Sequence, residues 1–361
     1  MPTDWTKLQS QAIDMLRFPM AVAVVMLHYS VLVIDGAHGM LREVCICFQE
    51  GICRLAVPCF YFISGYLFFH GLRRWSWDVW KRKLHSRVRT LLVPYFLWNL
   101  LAFFAYWAWI NLSGTRVGIF EEFQNLGGIR IFYNRLGSLP LGPQAPPLDD
   151  PLWFIRDLMY FVLATPAIYL FLKWTKGFGV LGICVLFLVI PGSIPEGFVF
   201  FVLGAFLQYS EKNIIASFYP TRSWFYCMTI LLLIGTCLLH DVSDYWYRFI
   251  KFFFILNGVI TSFCLAVTLL RRNPELPHPF LARSSFFIFA IHNVLILKQI
   301  ATPIVYTIIP VDTPVGSIAA YFLVPAFVVG ICLGLLFLME HLLPRTTSLL
   351  TGNRKIKSSY A

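Results

Sequence analysis

The chain is short of charge. Asp, Glu, Lys and Arg make up 13% of its 361 residues, against about a quarter in an ordinary soluble domain. With 58% of the residues hydrophobic, too little polar surface remains to cover a water-facing globule, and a disordered chain is excluded as well. Paired Cys or His ligands at zinc-like spacing are missing, so no metal site is expected. No Gly-rich phosphate loop opens a helix. No cleavable leader is evident either, because no small-residue cleavage site follows the apolar run that starts near Phe18. That run reads as a first membrane span. Internal repeats of hydropathy or motif, the mark of many two-halved transporters, are also lacking.

What is abundant is apolar sequence in long runs. A span needs roughly 20 apolar residues, and ten candidates follow in order: 18–34, 55–69, 91–110, 152–172, 178–190, 198–209, 223–239, 249–270, 285–302 and 316–338. The fifth and sixth are short and are divided by the breaker string Pro191-Gly192-Ser193-Ile194-Pro195-Glu196-Gly197. A re-entrant hairpin there, leaving eight full spans, is the alternative.

Basic residues sit in short clusters between the runs. If the N-terminus is cytoplasmic and the spans alternate, 20 of the 29 basic residues fall on inner segments and 5 on outer ones. The net charge of +11 is therefore a membrane-topology signal, and nucleic-acid binding is not expected. The fold class expected is all-α: a polytopic membrane protein of about ten transmembrane helices with both termini cytoplasmic. Residues 1–345 form its transmembrane domain and residues 346–361 a basic cytoplasmic tail. Residues 111–151, rich in Gly and Pro, read as an irregular cap on the outer face. Most of the nine cysteines, Cys59, Cys184, Cys227, Cys264 and Cys332 among them, lie in apolar stretches as small hydrophobes. Cys45, Cys47 and Cys53, nearer a polar loop, could form one bridge.

Ionisable groups at membrane depth are costly and so are functional candidates. Arg17 stands at the inner mouth of the first span, and His28 lies eleven residues on, ~16 Å up the same helical face. A guanidinium there can hold a phosphate or carboxylate, and a mid-membrane imidazole can move a proton at neutral pH. A topology anchor and an interhelical hydrogen bond account for the pair equally well. His292 lies at similar depth in the ninth span, with Lys298 further out.

Residues 73–89 hold seven basic residues, including Arg82, Lys83, Arg87 and Arg89. They read either as a face on anionic lipid or as a rim for a phosphate-bearing donor such as coenzyme A. On the outer side, Trp153 stands beside the Arg156–Asp157 pair, a combination suited to sugar rings, and Glu50 and Arg54 could extend such a site.

In this order the motifs resemble the acyltransferase-3 family of integral-membrane acyltransferases. The first span, Ile13-Asp14-Met15-Leu16-Arg17 through His28-Tyr29-Ser30, is similar to the family's opening motif. Phe60-Tyr61-Phe62-Ile63-Ser64-Gly65-Tyr66-Leu67 is similar to its Phe-rich Ser-Gly pattern. Arg87-Val88-Arg89-Thr90-Leu91-Leu92-Val93-Pro94-Tyr95 resembles its basic run ending in Pro-Tyr, Leu152-Trp153-Phe154 its Leu-Trp-aromatic element, and Ser285 through His292 its late motif ending in histidine.

The resemblance implies an O-acyltransferase that moves an acyl group, commonly acetyl, from cytoplasmic acyl-CoA to a carbohydrate hydroxyl at or across the cell (inner) membrane. It implies catalytic roles for His28 and Arg17 and donor binding by Arg87 and Arg89, with Arg82 and Lys83 beside them. His292, Trp153, Arg156, Asp157 and Ser64 are then expected to line the acceptor side of the cavity. The expected partners are acyl-CoA, the carbohydrate acceptor, the lipid bilayer and envelope-polysaccharide machinery, with no bound cofactor. An Arg-x-x-Arg spacing common in the family is absent here, and so is the hydrolase-like extra domain of some members. Two other readings stand beside this one: a transporter or flippase for a sugar-linked lipid, and a non-catalytic membrane subunit of a polysaccharide complex.

Overall fold

The computed structural model describes residues 4–72, 74–114, 121, 146–242 and 244–352. Most of the Gly- and Pro-rich segment expected as a cap, Arg73, and residues 353–361 of the expected tail lie outside them. The described residues form helices and connecting turns and no strand. Among the described residues, eight helical stretches are long and apolar enough to cross a bilayer: Trp5–Gly36, Gly39–Phe69, Trp77–Ser113, Thr165–Val189, Ile214–Leu239, Asp244–Arg272, Pro279–Ile308 and Pro314–Leu342. Glu196–Tyr209 is apolar but shorter, 14 residues. Large side chains such as Phe178, Leu181, Leu231 and Leu238 are exposed on these helices, as lipid-facing surfaces are.

The ten expected runs map onto these helices with two changes. The run 152–172 does not form one helix: Trp153–Leu163 stops, and Thr165–Val189 begins with Pro166 in its first turn. Proline disfavours the helical conformation of the residue before it and fits the first turn after it, which explains the step. The second helix then kinks at Lys176, whose φ of 51° and ψ of −136° are not helical, so the boundary expected near residue 178 falls there. The run 285–302 is likewise interrupted. Helix Pro279–Ile291 gives way to a π-helical stretch, His292–Ala301, broken at Val294 and at Leu295 (φ 65°).

Two compact units are built from alternating stretches of chain. The first comprises Met1–Lys83 and Phe161–Ser285. In it helix Ala56–Phe69 packs along Glu196–Tyr209, and Trp5–Val33 packs on Ala56–Phe69 and Asp244–Arg272. Asp4 caps Trp5–Val33 by accepting from the amides of Thr6 and Lys7, 3.0 Å each. Helices Arg222–Leu239 and Asp244–Arg272 are joined by polar side chains: Thr229 to Thr261 at 2.6 Å, Asn257 donating to Thr229 at 2.6 Å, and Tyr226 to Thr268 at 2.8 Å. Such contacts hold helices together in lipid, where apolar burial supplies little drive.

The second unit comprises Leu84–Tyr160 and Phe286–Ala361. Its frame is helix Val93–Ser113, packed against the broken His292–Ala301 stretch and the short helix Pro344–Leu350. Trp98 donates its indole N–H to the Leu350 carbonyl at 3.0 Å, so the fold continues past residue 345. Gly352 (φ 72°) rests on Thr90: a methyl group on it would lie 2.2 Å from the Thr90 carbonyl oxygen. Thr90 belongs to a π-helical turn, Val88–Leu92. Pro94, four residues on, has no N–H to give that carbonyl and crowds it, which widens the helix at this point.

Candidate functional site

Every described residue anticipated from the sequence can be placed within its own unit. Arg17, His28, Ser64, Arg82 and Lys83 belong to the first; Arg87, Arg89, Trp153, Arg156, Asp157 and His292 belong to the second.

Arg17 and His28 stand on the Trp5–Val33 helix, which runs unbroken through Pro19. Arg17 is ion-paired one turn back with Asp14, its NH1 2.7 Å from Oδ1, and about a third of the Arg17 side chain is exposed. Asp14 thus orients a guanidinium that still has open surface. His28 is half-buried, with Nδ1 3.0 Å from the Val24 carbonyl oxygen. A carbonyl can only accept, so Nδ1 carries a proton, and in the neutral imidazole the lone pair is then on Nε2, the form a general base requires. His292 repeats the arrangement in the second unit. It is fully buried, and its Nδ1 lies 3.0 Å from the carbonyls of Ile288 and Phe289. The helix breaks directly after it, and unwound backbone at membrane depth is characteristic of sites lining a cavity.

The basic run is not uniform. Lys83 donates to the carbonyls of Phe68 and His70, 2.7 Å each, so it closes the end of helix Ala56–Phe69. Arg82 and Arg89 are exposed and Arg87 half-buried, with Arg89 in the widened turn before Pro94. Ser64 is half-buried beside Gly65, and Gly65 is where helix Glu196–Tyr209 approaches.

Glu50 and Arg54 lie in a charged cluster of the first unit. Lys251 and Tyr247 both donate to Glu50, Tyr247 at 2.7 Å. Arg54 donates to Glu196 at 3.2 Å. A π-helical turn, Cys47–Gly51, bulges out at this point. All nine cysteines are free, so the bridge considered for Cys45, Cys47 and Cys53 is not formed.

In the second unit Trp153 is half-buried, and Arg156 donates through Nε to Asp157 at 3.0 Å. A neighbour escaped the sequence analysis. Asp149 is fully buried, its N–H donates to Asn99 Oδ1 at 3.2 Å, and its two carboxylate oxygens have no hydrogen-bond partner among the described residues. Burial, and then the charge of Asp150, push its carboxyl well above the usual aspartate range. Among the described residues no three His, Cys, Asp or Glu side chains are grouped as metal ligands would be.

Comparison with known proteins agrees with the motif order. The Acyl_transf_3 family model, described as an acyltransferase domain, matches residues 10–339. This multi-pass membrane protein therefore belongs to the acyltransferase-3 family. The succinoglycan biosynthesis protein ExoH of Rhizobium meliloti (strain 1021) is 33% identical over 136 residues, 37% of this chain and 34% of that protein. The match thus spans about a third of that relative. No solved structure matches the chain.

Proposed function

We propose that the protein moves an acyl group, acetyl in the simplest case, from cytoplasmic acyl-CoA to a hydroxyl of a cell-envelope or exported carbohydrate, and that it works in the cell (inner) membrane with both chain ends in the cytoplasm. The observation that carries this reading is the Trp5–Val33 helix: a base-competent imidazole at His28 stands three turns above the Asp14-oriented guanidinium of Arg17. The family membership and the partial likeness to a succinoglycan biosynthesis protein support it.

In this scheme the donor's phosphates are bound by guanidinium groups, the role assigned to Arg17, Arg82, Arg87 and Arg89, whereas Lys83 is committed to carbonyls. His28 Nε2 takes the proton of the acceptor hydroxyl as the oxygen attacks the thioester carbonyl. The C–S bond then breaks, the proton passes to the departing thiolate, and an ester and coenzyme A remain. His292, Trp153, Arg156, Asp157 and Ser64 face the acceptor in this scheme.

The test is transfer from radiolabelled acetyl-CoA in membrane vesicles. His28→Ala should lose about 10²–10⁴-fold in rate, the usual contribution of a general base. A folded His28→Ala protein transferring at the wild-type rate overturns the assignment.

A further inference from the structure

The first unit holds an apolar cavity of about 200 Å³ that the scheme above leaves unused. Phe62, Val180, Leu203, Phe206, Phe218 and Val259 are among its walls, and no polar residue lines it. Its origin is local. Helix Thr165–Val189 kinks at Lys176, and the next residue, Gly177, has no side chain to set against Phe206 of helix Glu196–Tyr209; an added methyl group would lie 3.4 Å from that ring. The same helix turns Trp174, Phe178 and Leu181 outward, exposed as lipid-facing side chains are. An apolar space larger than the ~150 Å³ cavity that stays dry and takes up benzene is a place for hydrocarbon rather than water.

Beside one wall of the cavity stand two cations without carboxylates. Phe218 is followed by Tyr219, and the guanidinium carbons of Arg222 and Arg271 lie 4.5 Å and 4.7 Å from the centre of the Tyr219 ring. Arg271 also stands 5.2 Å from the centre of the Trp5 ring. No carboxylate among the described residues pairs with either guanidinium. Cation–π contacts hold the two in place, yet like charges gathered on one ring repel. Arg222 is moreover the first residue of helix Arg222–Leu239, the end at which the macrodipole favours an anion. Arg222 is half-buried and Arg271 exposed, so both can be reached. An oxyanion touching both guanidiniums relieves the repulsion and suits the dipole.

A free phosphate would leave the cavity empty. In acyl-CoA a long polar pantetheine arm separates the phosphates from the acyl chain, whereas here the cavity and the arginine pair share consecutive residues, Phe218 and Tyr219. A glycerophospholipid carries its phosphate only a glycerol away from its chains. We propose that the first unit binds one anionic glycerophospholipid, with its phosphate on Arg222 and Arg271 and an acyl chain in the cavity. The arginine pair has no carboxylate partner to receive an ammonium headgroup, so the site prefers phosphatidylglycerol to phosphatidylcholine. It stands independently of the acyl-transfer reading.

The test needs no turnover. The full-length protein in phosphatidylcholine nanodiscs is irradiated with a trace of phosphatidylglycerol carrying a diazirine in its acyl chain, and the labelled peptides are mapped. A matched phosphatidylcholine probe is run in parallel. The phosphatidylglycerol probe should label the cavity segments, residues 177–180 and 200–207, more strongly than its counterpart. Arg222→Gln and Arg271→Gln should each cut that label roughly fivefold, the worth of one basic side chain on an anionic lipid surface. Leu203→Trp fills the cavity and keeps both arginines; it should remove the cavity label and leave that on exposed Leu231 unchanged. A thermal midpoint no lower than that of the wild type shows that this variant folds. Equal labelling by the two probes, a label that neither arginine variant reduces, a cavity label that survives Leu203→Trp, or displacement of the probe by decanoyl-CoA overturns the lipid site.

Discussion

Gly65 and Gly204 are reciprocal contacts. A methyl group on Gly65 would lie 2.0 Å from the Phe201 carbonyl oxygen, and one on Gly204 would lie 2.0 Å from that of Phe62. Helices Ala56–Phe69 and Glu196–Tyr209 therefore touch backbone to backbone, the approach that small residues permit in membranes. The partner atom on each side is main chain and cannot swing away. Gly65→Ala and Gly204→Ala should each cost at least the ~1–3 kcal/mol typical of overpacking. Thermal unfolding in nanodiscs checks this, and a wild-type midpoint for either variant would show that the helices part without cost.

The Glu50–Lys251 pair is nearly as enclosed, with side chains 15% and 17% exposed, and Tyr247 donates to the same carboxylate. Removing one partner leaves the other charge poorly hydrated, so Lys251→Met should destabilise by about 3 kcal/mol. Replacing both, as Glu50→Leu with Lys251→Met, should recover much of that loss, because neither charge then has to leave water. Midpoints for the two single variants and the double variant decide it. A double variant as damaged as the sum of the singles would mean that the pair does not couple.

The sequence made the helical class, the apolar runs and the break around Pro191–Gly197 legible, because hydropathy and proline act locally. It placed Arg17 and His28 on one face of one helix for the same reason. The Ser64-Gly65 motif was visible, but the carbonyl of Phe201 that explains Gly65 lies far along the chain. Lys83 read as one more cation of the donor rim until its two carbonyl partners were seen. The break at Leu295 has no Gly or Pro to announce it. Asp149 was missed because Asp149-Asp150 in a Pro-rich stretch reads as a solvated turn. Its burial depends on Asn99, fifty residues upstream.

Asp14 should act through Arg17. The pair is separated by 2.7 Å and is partly exposed, so its worth is at most ~1 kcal/mol. Asp14→Asn leaves the guanidinium present but free to rotate, and the KM for acyl-CoA should rise roughly two- to fivefold with little change in kcat. Arg17→Gln should raise it further, since the charge itself is gone. An unchanged donor KM in both variants would remove Arg17 from the phosphate contact.

The buried carboxyl of Asp149 should make stability depend on pH. Desolvation, followed by the charge of Asp150, raises the Asp149 pKa in the folded chain, whereas in the unfolded chain it stays in the ordinary aspartate range. The folded state therefore binds more protons than the unfolded state between those two values. Its contribution is fully present below the unfolded pKa, near 4, and is lost as pH rises through the folded value. Asp149→Asn carries no titrating group, so its stability should not fall with pH for this reason, and its advantage over the wild type should grow from about pH 4 upward. Unfolding midpoints of the two proteins across that range check the sign. Parallel curves would mean that Asp149 titrates alike in the folded and unfolded chain, and that its carboxyl meets water.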